Sequence, residues 1–208
     1  MFGIQHFALF LTAGILLNLT PGPDTAFILG RSIAGGRRIG IASALGISVG
    51  SVFHTCAAAL GLSAVLATSA WAFSAVKLLG ASYLLFLGAR MLFQSSVFWR
   101  KPAEAKRVSV RTAFTQGVLT NVLNPKVALF FLAFLPHFIE TATPTKVPAF
   151  LVLGFTFVAT GTIWCLILAS AASTISRRLR ANERASLWLN RALGGLFVAL
   201  GLRLATSR

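Results

Sequence analysis

The sequence predicts an all-α integral membrane protein of six transmembrane helices, built as two inverted three-helix repeats with the first and fourth helices broken. Three observations carry that prediction. With 56% hydrophobic residues, 11% charged residues and a mean hydropathy of +0.81, the 208-residue chain is far more apolar than an ordinary globular domain. Apolar stretches close to the roughly 20 residues needed to cross a 30 Å hydrocarbon layer recur six times along it. Proline-containing breaks interrupt the first and the fourth stretch, at corresponding places in the two halves.

The six spans run approximately from Phe2 to Leu29, Ile39 to Leu66, Trp71 to Phe93, Phe114 to Pro136, Pro148 to Ile175 and Leu187 to Ala205. One transmembrane domain therefore covers residues 1–208, with repeat one at 1–95, a cytoplasmic connection at 96–112 and repeat two at 113–208. The first span has no Lys or Arg ahead of it and no small-residue cleavage pattern, so it is expected to stay in the protein. Laid side by side, the halves share Gly14 and Asn18 with Gly117 and Asn121 at one spacing, while the proline is displaced by one residue. Lys77, Gly80, Gly88 and Arg90 of span three align likewise with Arg191, Gly194, Gly201 and Arg203 of span six. Three spans per half is an odd number, so the second repeat enters the membrane from the opposite face. In transporters of that design the substrate sits near the midplane, at broken helices from both repeats.

The net charge of +15 would suggest nucleic acid in a soluble protein, but its placement gives another reason for it. Arg31, Arg37 and Arg38 follow span one, a cluster from Arg90 to Arg111 follows span three, and Arg177, Arg178, Arg180, Arg184 and Arg191 follow span five. The other connections hold almost no basic residues. This is the positive-inside pattern; it puts the basic connections in the cytoplasm and both termini outside, and no nucleic-acid partner is expected.

The breaks are Thr20-Pro21-Gly22-Pro23-Asp24 and Asn124-Pro125-Lys126. A proline lacks the backbone N–H and clashes with the preceding turn, so carbonyls near residues 17 to 19 lose their helical partners. Orphaned groups are tolerated at membrane depth only where protein or a water-filled cavity meets them. The helix restarting after Pro23 presents free N–H groups that suit a carboxylate such as an amino acid carries.

Asp24 is the only carboxylate well inside a span, where a charge costs about 2.5 to 3.5 kcal/mol. It reads as a proton carrier or a ligand for a substrate ammonium; the alternative is a helix cap. Lys126, at the other break, is a candidate to neutralise Asp24 or bind a substrate carboxylate, the alternative being a snorkelling side chain. Asn18, Asn121 and Asn124 can bond freed carbonyls or substrate. His54 closes the stripe Ser43, Gly46, Gly50, His54 on one helix face, where Gly46 and Gly50 permit close helix contact and His54 is a candidate titrating group. Tyr83, the sole tyrosine, falls mid-span and is a candidate cavity residue. Trp71, Trp99, Trp164 and Trp188 read as interfacial anchors. Cys56 and Cys165 read as small buried hydrophobes, with membrane thiol chemistry between them as the rival reading.

TPGPD at 20–24, GGRRIGIASALGISVG at 35–50, GASYLLFLG at 80–88 and NPKVALFFLAFLPHF at 124–138 together resemble the LysE/RhtB family of bacterial amino-acid exporters, in order and over essentially the whole chain. The resemblance implies a multi-pass exporter in the bacterial cytoplasmic membrane, driven by the proton gradient. Its RhtB-like pattern implies neutral substrates such as homoserine, its lactone, threonine or leucine. Where the family pattern has Gln before the Phe that closes the span-four motif, this chain has His137, which bears on pH response or substrate preference.

With no G-x-x-x-x-G-K-[ST] loop and no long soluble segment, a gradient rather than ATP must drive transport, and neither enzyme activity, cofactor nor metal is expected. The expected partners are the bilayer, an amino-acid substrate, protons and a second copy in a homodimer. The competing functions are a transmembrane thiol-disulfide electron carrier using Cys56 and Cys165, and a passive channel.

Overall fold

Proline sets the first boundaries. The computed structural model describes residues 2–62, 70–93, 108–140, 143 and 146–181, with helical residues scattered between 188 and 206; the side chains of much of 70–93 and of most residues after 172 lie outside the description. Helix α1 runs Phe7–Leu19 and stops because Thr20, ahead of Pro21, is pushed into an extended conformation. Gly22 is extended too, and α2 (Pro23–Gly35) restarts with Pro23 in its first turn, where a missing N–H costs nothing. The second break repeats this chemistry. Helix α5 (Val110–Val122) begins at Ser109, whose Oγ accepts from the Thr112 N–H at 3.1 Å, and ends at Leu123. Asn124 then caps α6 (Pro125–Leu129), accepting the Lys126 N–H at 3.0 Å, again with proline in the first turn.

α1 and α5 are both 13 residues long. The first break spans Thr20 to Gly22 and the second only Leu123 and Asn124, so the proline that opens the restarted helix, Pro23 or Pro125, comes one residue later in the first half. α6 continues through a π-helical turn, Phe130–Phe134, and a 3-10 turn, Leu135–Phe138, and the whole segment bends by 45° from α5. Gly36, at φ 80°, reverses the chain between α2 and α3 (Arg37–Ala57), a backbone conformation that favours glycine. α3 runs on as a π-helical turn over Ala58–Leu62. α4 covers Ala70–Phe93 and α7 covers Lys146–Ala181, bent at Ala171.

The chain is all-helical among its described residues, apart from one antiparallel bridge between Ile4 and Ile139. The segment Arg37–Gly61 and the segment Lys146–Ala172 are long and apolar enough to cross a membrane, and the bent pair α5–α6 forms a third such span. α1 alone, at about 1.5 Å per residue, is too short to cross. The first span differs from the sequence boundary: α2 continues to Gly35 and so takes in Arg31, whose guanidinium donates to Gln116 Oε1 at 2.7 Å and ties α2 to α5. The connection expected at 96–112 lies outside the described residues as far as 107, as do Trp99 and Arg184.

α3 is the central element, packed on α2, α5 and α7. The Gly46–Gly50 stripe makes that approach possible: a Cβ on Gly46 would collide with the Phe114 carbonyl, and one on Gly50 would come within 2.7 Å of the Asn121 side chain. Gly117 answers from α5, with the Ser43 carbonyl 2.5 Å from where its Cβ would stand. Gly88 and Gly201 likewise fill the contact between α4 and the last helical residues. The faces at Gly46, Gly50, Gly88, Gly117 and Gly201 thus pack within one chain. Two apolar clusters flank this centre: Phe10, Phe130, Phe131, Phe134, Phe138 and Phe157 in one, Ile28, Ile47, Leu168 and Ala169 in the other. Outward, Phe53, Leu60, Trp71 and Leu123 are exposed, as lipid-facing side chains are.

Candidate functional site

Between the two clusters, where both breaks converge on α3 and α7, lies a cavity of about 30 Å³. Asn18, Asp24, Asn121 and Lys126 line it, with Thr25, Ser48 and Ser51 on the polar side and Ile47, Phe157, Val158, Trp164 and Cys165 on the apolar side. Such a volume holds about two waters, too little for an amino acid.

Asp24 is the second residue of α2, and its side chain makes no cap to the helix. Its Oδ2 accepts from Asn121 Nδ2 at 2.8 Å instead. The free N–H groups of the first turn favour an anion there. Oδ1 is buried and makes no hydrogen bond within 3.5 Å, although the Asn124 amide lies near enough to act on the carboxylate.

Asn121 is the hub of the polar side. Besides serving Asp24, its Oδ1 accepts from Ser51 Oγ at 3.2 Å, and its backbone carbonyl meets His54 Nε2 at 3.1 Å. A carbonyl only accepts, so His54 carries its proton on Nε2 in this contact. His54 is buried, stacked on Phe131 at 5.8 Å, and holds Asn121 from behind rather than lining the cavity.

Lys126 extends across to the other break. Its Nζ donates to the Leu17 carbonyl at 3.1 Å and to the Thr20 carbonyl at 2.9 Å. The direct Asp24–Lys126 pair expected from the pseudo-symmetry is not made: each charged group bonds to the end of the opposite half's first helix. Gly22 leaves room for the lysine, since a Cβ there would stand 3.2 Å from Nζ.

The remaining candidates separate by role. Asn18 turns to α7, donating to Thr160 Oγ1 at 3.2 Å and, at a long 3.5 Å, to the Phe157 carbonyl. Thr20 bonds its own helix through Oγ1 to the Leu16 carbonyl at 2.7 Å. Asn124 caps α6, and its buried Nδ2 makes no hydrogen bond within 3.5 Å, though the amide acts on the Asp24 carboxylate. Pro21, Pro23 and Pro125 shape the breaks without lining the cavity. Tyr83 lies in α4, and its side chain is outside the described residues.

Sequence reasoning missed Ser48, Ser51, Thr25, Gly161 and Thr162, which are common small residues on apolar helices and carry no local signature. Trp164 needs correction: it is a cavity wall with a buried, unbonded indole N–H, whereas Trp71 and Trp188 are exposed as anchors would be. Cys56 is exposed, Cys165 is buried in the cavity wall, and both are free thiols, an arrangement that lends no support to an electron shuttle between them.

The LysE type translocator family profile matches residues 15–208. Among similar proteins, a leucine efflux protein of Klebsiella pneumoniae is 28% identical over 205 residues, covering 99% of this chain and 97% of the relative. A leucine efflux protein of Salmonella typhimurium is 27% identical with the same coverage. An uncharacterized membrane protein of Pseudomonas aeruginosa is 29% identical over 212 residues, again covering 99% of this chain and 97% of the relative. No solved structure matches the chain.

Proposed function

Because this chain belongs to the LysE type translocator family, we propose that it is a secondary transporter exporting a neutral amino acid or close derivative from the cytoplasm in exchange for protons. One observation carries the reading: two residues that line the cavity between the breaks, Asp24 and Trp164, hold a buried carboxylate oxygen and a buried indole N–H that make no close hydrogen bond. Asp24 Oδ1 is an acceptor for a substrate ammonium, and Trp164 Nε1 is a donor for a substrate carboxylate. Ile47, Phe157 and Val158 offer an apolar wall to the side chain. That lining suits leucine-like substrates, in keeping with the relatives' description as leucine efflux proteins, and homoserine, its lactone and threonine are the next to test.

Amino-acid export needs only modest energy. One elementary charge moving through 100 mV is worth about 2.3 kcal/mol, more than a tenfold concentration ratio of a neutral solute. In the proposed cycle Asp24 takes a proton from outside, the two halves rock about the site, and the proton leaves inside as substrate binds. The same reading takes the chain as six spans in two inverted repeats in the bacterial cytoplasmic membrane, with both termini outside. Two equal-length helices, each ending at a proline break, support the repeat.

The deciding experiment is efflux of a panel of labelled amino acids from proteoliposomes with and without an imposed proton gradient, for the wild type and Asp24→Asn. Gradient-dependent export of neutral amino acids by the wild type, lost in Asp24→Asn, is the expected result. An Asp24→Asn protein that still concentrates substrate in response to the gradient removes the carboxylate from the coupling role.

A further inference from the structure

We infer that Lys126 is a resident cation: its ammonium fills a carbonyl site, at the broken end of the first span, that would otherwise call for a free monovalent cation. The site is made by the break itself. In an unbroken helix the Leu17 carbonyl would receive the N–H of residue 21, but that residue is proline and has none. Leu17 keeps only a bond of 3.2 Å from the Thr20 N–H, and the extended backbone from Thr20 to Gly22 carries the Thr20 carbonyl out of the helical ladder. Two carbonyls therefore converge at the negative end of the α1 dipole, buried where water does not serve them. In transporters built on broken helices, carbonyls of this kind coordinate the coupling ion.

Here the side chain of Lys126 occupies that place, with Nζ at 3.1 and 2.9 Å from the two oxygens and the residue 8% exposed. Its seat is shaped for it. Gly22 packs along the stem, with Nζ 3.2 Å and Cε 3.5 Å from where a Cβ would be. The arrangement is also reciprocal: Asp24 and Lys126 each follow the proline that opens a restarted helix, and each crosses to the end of the opposite half's first helix. One half sends an anion to an amide donor, and the other sends a cation to carbonyls.

The consequence for coupling is that no alkali cation is needed: with the carbonyl site already filled, only the proton is left to drive the cycle. This deepens the exporter reading, and it rests on that reading only where transport is measured.

The test removes the tethered cation and offers a free one. Lys126→Ala leaves a gap the size of n-propylammonium, and the purified variant is melted in n-propylammonium chloride and in tetramethylammonium chloride at equal ionic strength; the latter has the same charge and no N–H donors. The variant should melt below wild type, n-propylammonium should raise its midpoint, tetramethylammonium should not, and wild type should respond to neither. In proteoliposomes its export should fall about tenfold or more, as befits losing charge-assisted hydrogen bonds to buried carbonyls, and should recover in part with n-propylammonium. Lys126→Arg, which keeps a cation with N–H donors, should retain more export than Lys126→Ala. Wild type provides an arm that no variant's folding can confound: proton-driven export in sodium-free choline medium should equal that in sodium chloride. A sodium requirement in wild type overturns the inference, as does a variant whose melting ignores n-propylammonium or responds equally to tetramethylammonium. Should wild type export no amino acid at all, the exporter reading fails, and the melting arm still decides the role of Lys126.

Discussion

Trp164 presents a buried indole N–H with nothing to bond, on the same cavity as an equally unfilled oxygen of Asp24. Under the proposed function these two atoms are where a zwitterion would bond once the cavity widens, since a buried polar atom left bare costs stability unless a ligand or water fills it. Trp164→Phe removes the donor and keeps most of the ring. If the indole holds the substrate carboxylate, the loss of a hydrogen bond to a charged group, about 1.5 to 3 kcal/mol, should raise the half-saturating substrate concentration of efflux roughly ten- to a hundredfold and leave the maximal rate less affected. An unchanged half-saturation would return Trp164 to a packing role. Nothing local in the sequence separates this tryptophan from Trp71 or Trp188, because its neighbours Ile163 and Cys165 read as ordinary span. Asp24, by contrast, was legible at once, since one carboxylate inside an apolar stretch demands a reason.

At the scale of elements, what the sequence disclosed were the breaks and the stripe, both of which act through backbone chemistry that is local. Proline cannot continue a helix past its first turn, so Pro23 and Pro125 mark where one helix has ended and another opens, and Gly46 and Gly50, one turn apart on one face, admit a neighbour. The partner helix was not legible, because glycine says only that something comes close. That partner is α5, and its Asn121 rests against Gly50, so the stripe sets the position of the hub of the site as well as the helix spacing. Gly46→Val should therefore destabilise by about 1 to 3 kcal/mol or more, since the side chain would be driven into the Phe114 carbonyl and backbone cannot step aside cheaply. Gly61→Ala is the matched control: nothing lies within 4 Å of its Cβ position, and the change should be neutral or stabilising by up to about 1 kcal/mol. Melting midpoints of the two purified variants in detergent check both; equal midpoints would mean that α3 and α5 can slide apart without loss.

For the molecule as a whole, the small size of the cavity is the constraint that matters. A space for about two waters between two packed apolar clusters cannot admit an amino acid, so the proposed export cycle needs the clusters to part in turn. Long-range architecture of this kind is beyond sequence reading, because it depends on which small residues of α3 and α7 come to face the breaks. The thiols supply a probe. Cys165 is buried in the cavity wall while Cys56 is exposed on the outside of the bundle, so a Cys56→Ser protein carries a single cysteine at the site. A small, charged, water-soluble thiol reagent is larger than the cavity, so under the proposed cycle it reaches the buried Cys165 when one side opens. In reconstituted vesicles its modification should be slow at rest, faster when a proton gradient drives cycling, and slowed again by saturating substrate that occupies the same space. Rapid labelling indifferent to both gradient and substrate would mean that the cavity is open to water by another route, and the alternating opening on which the export cycle depends would have to be abandoned in favour of a passive pore.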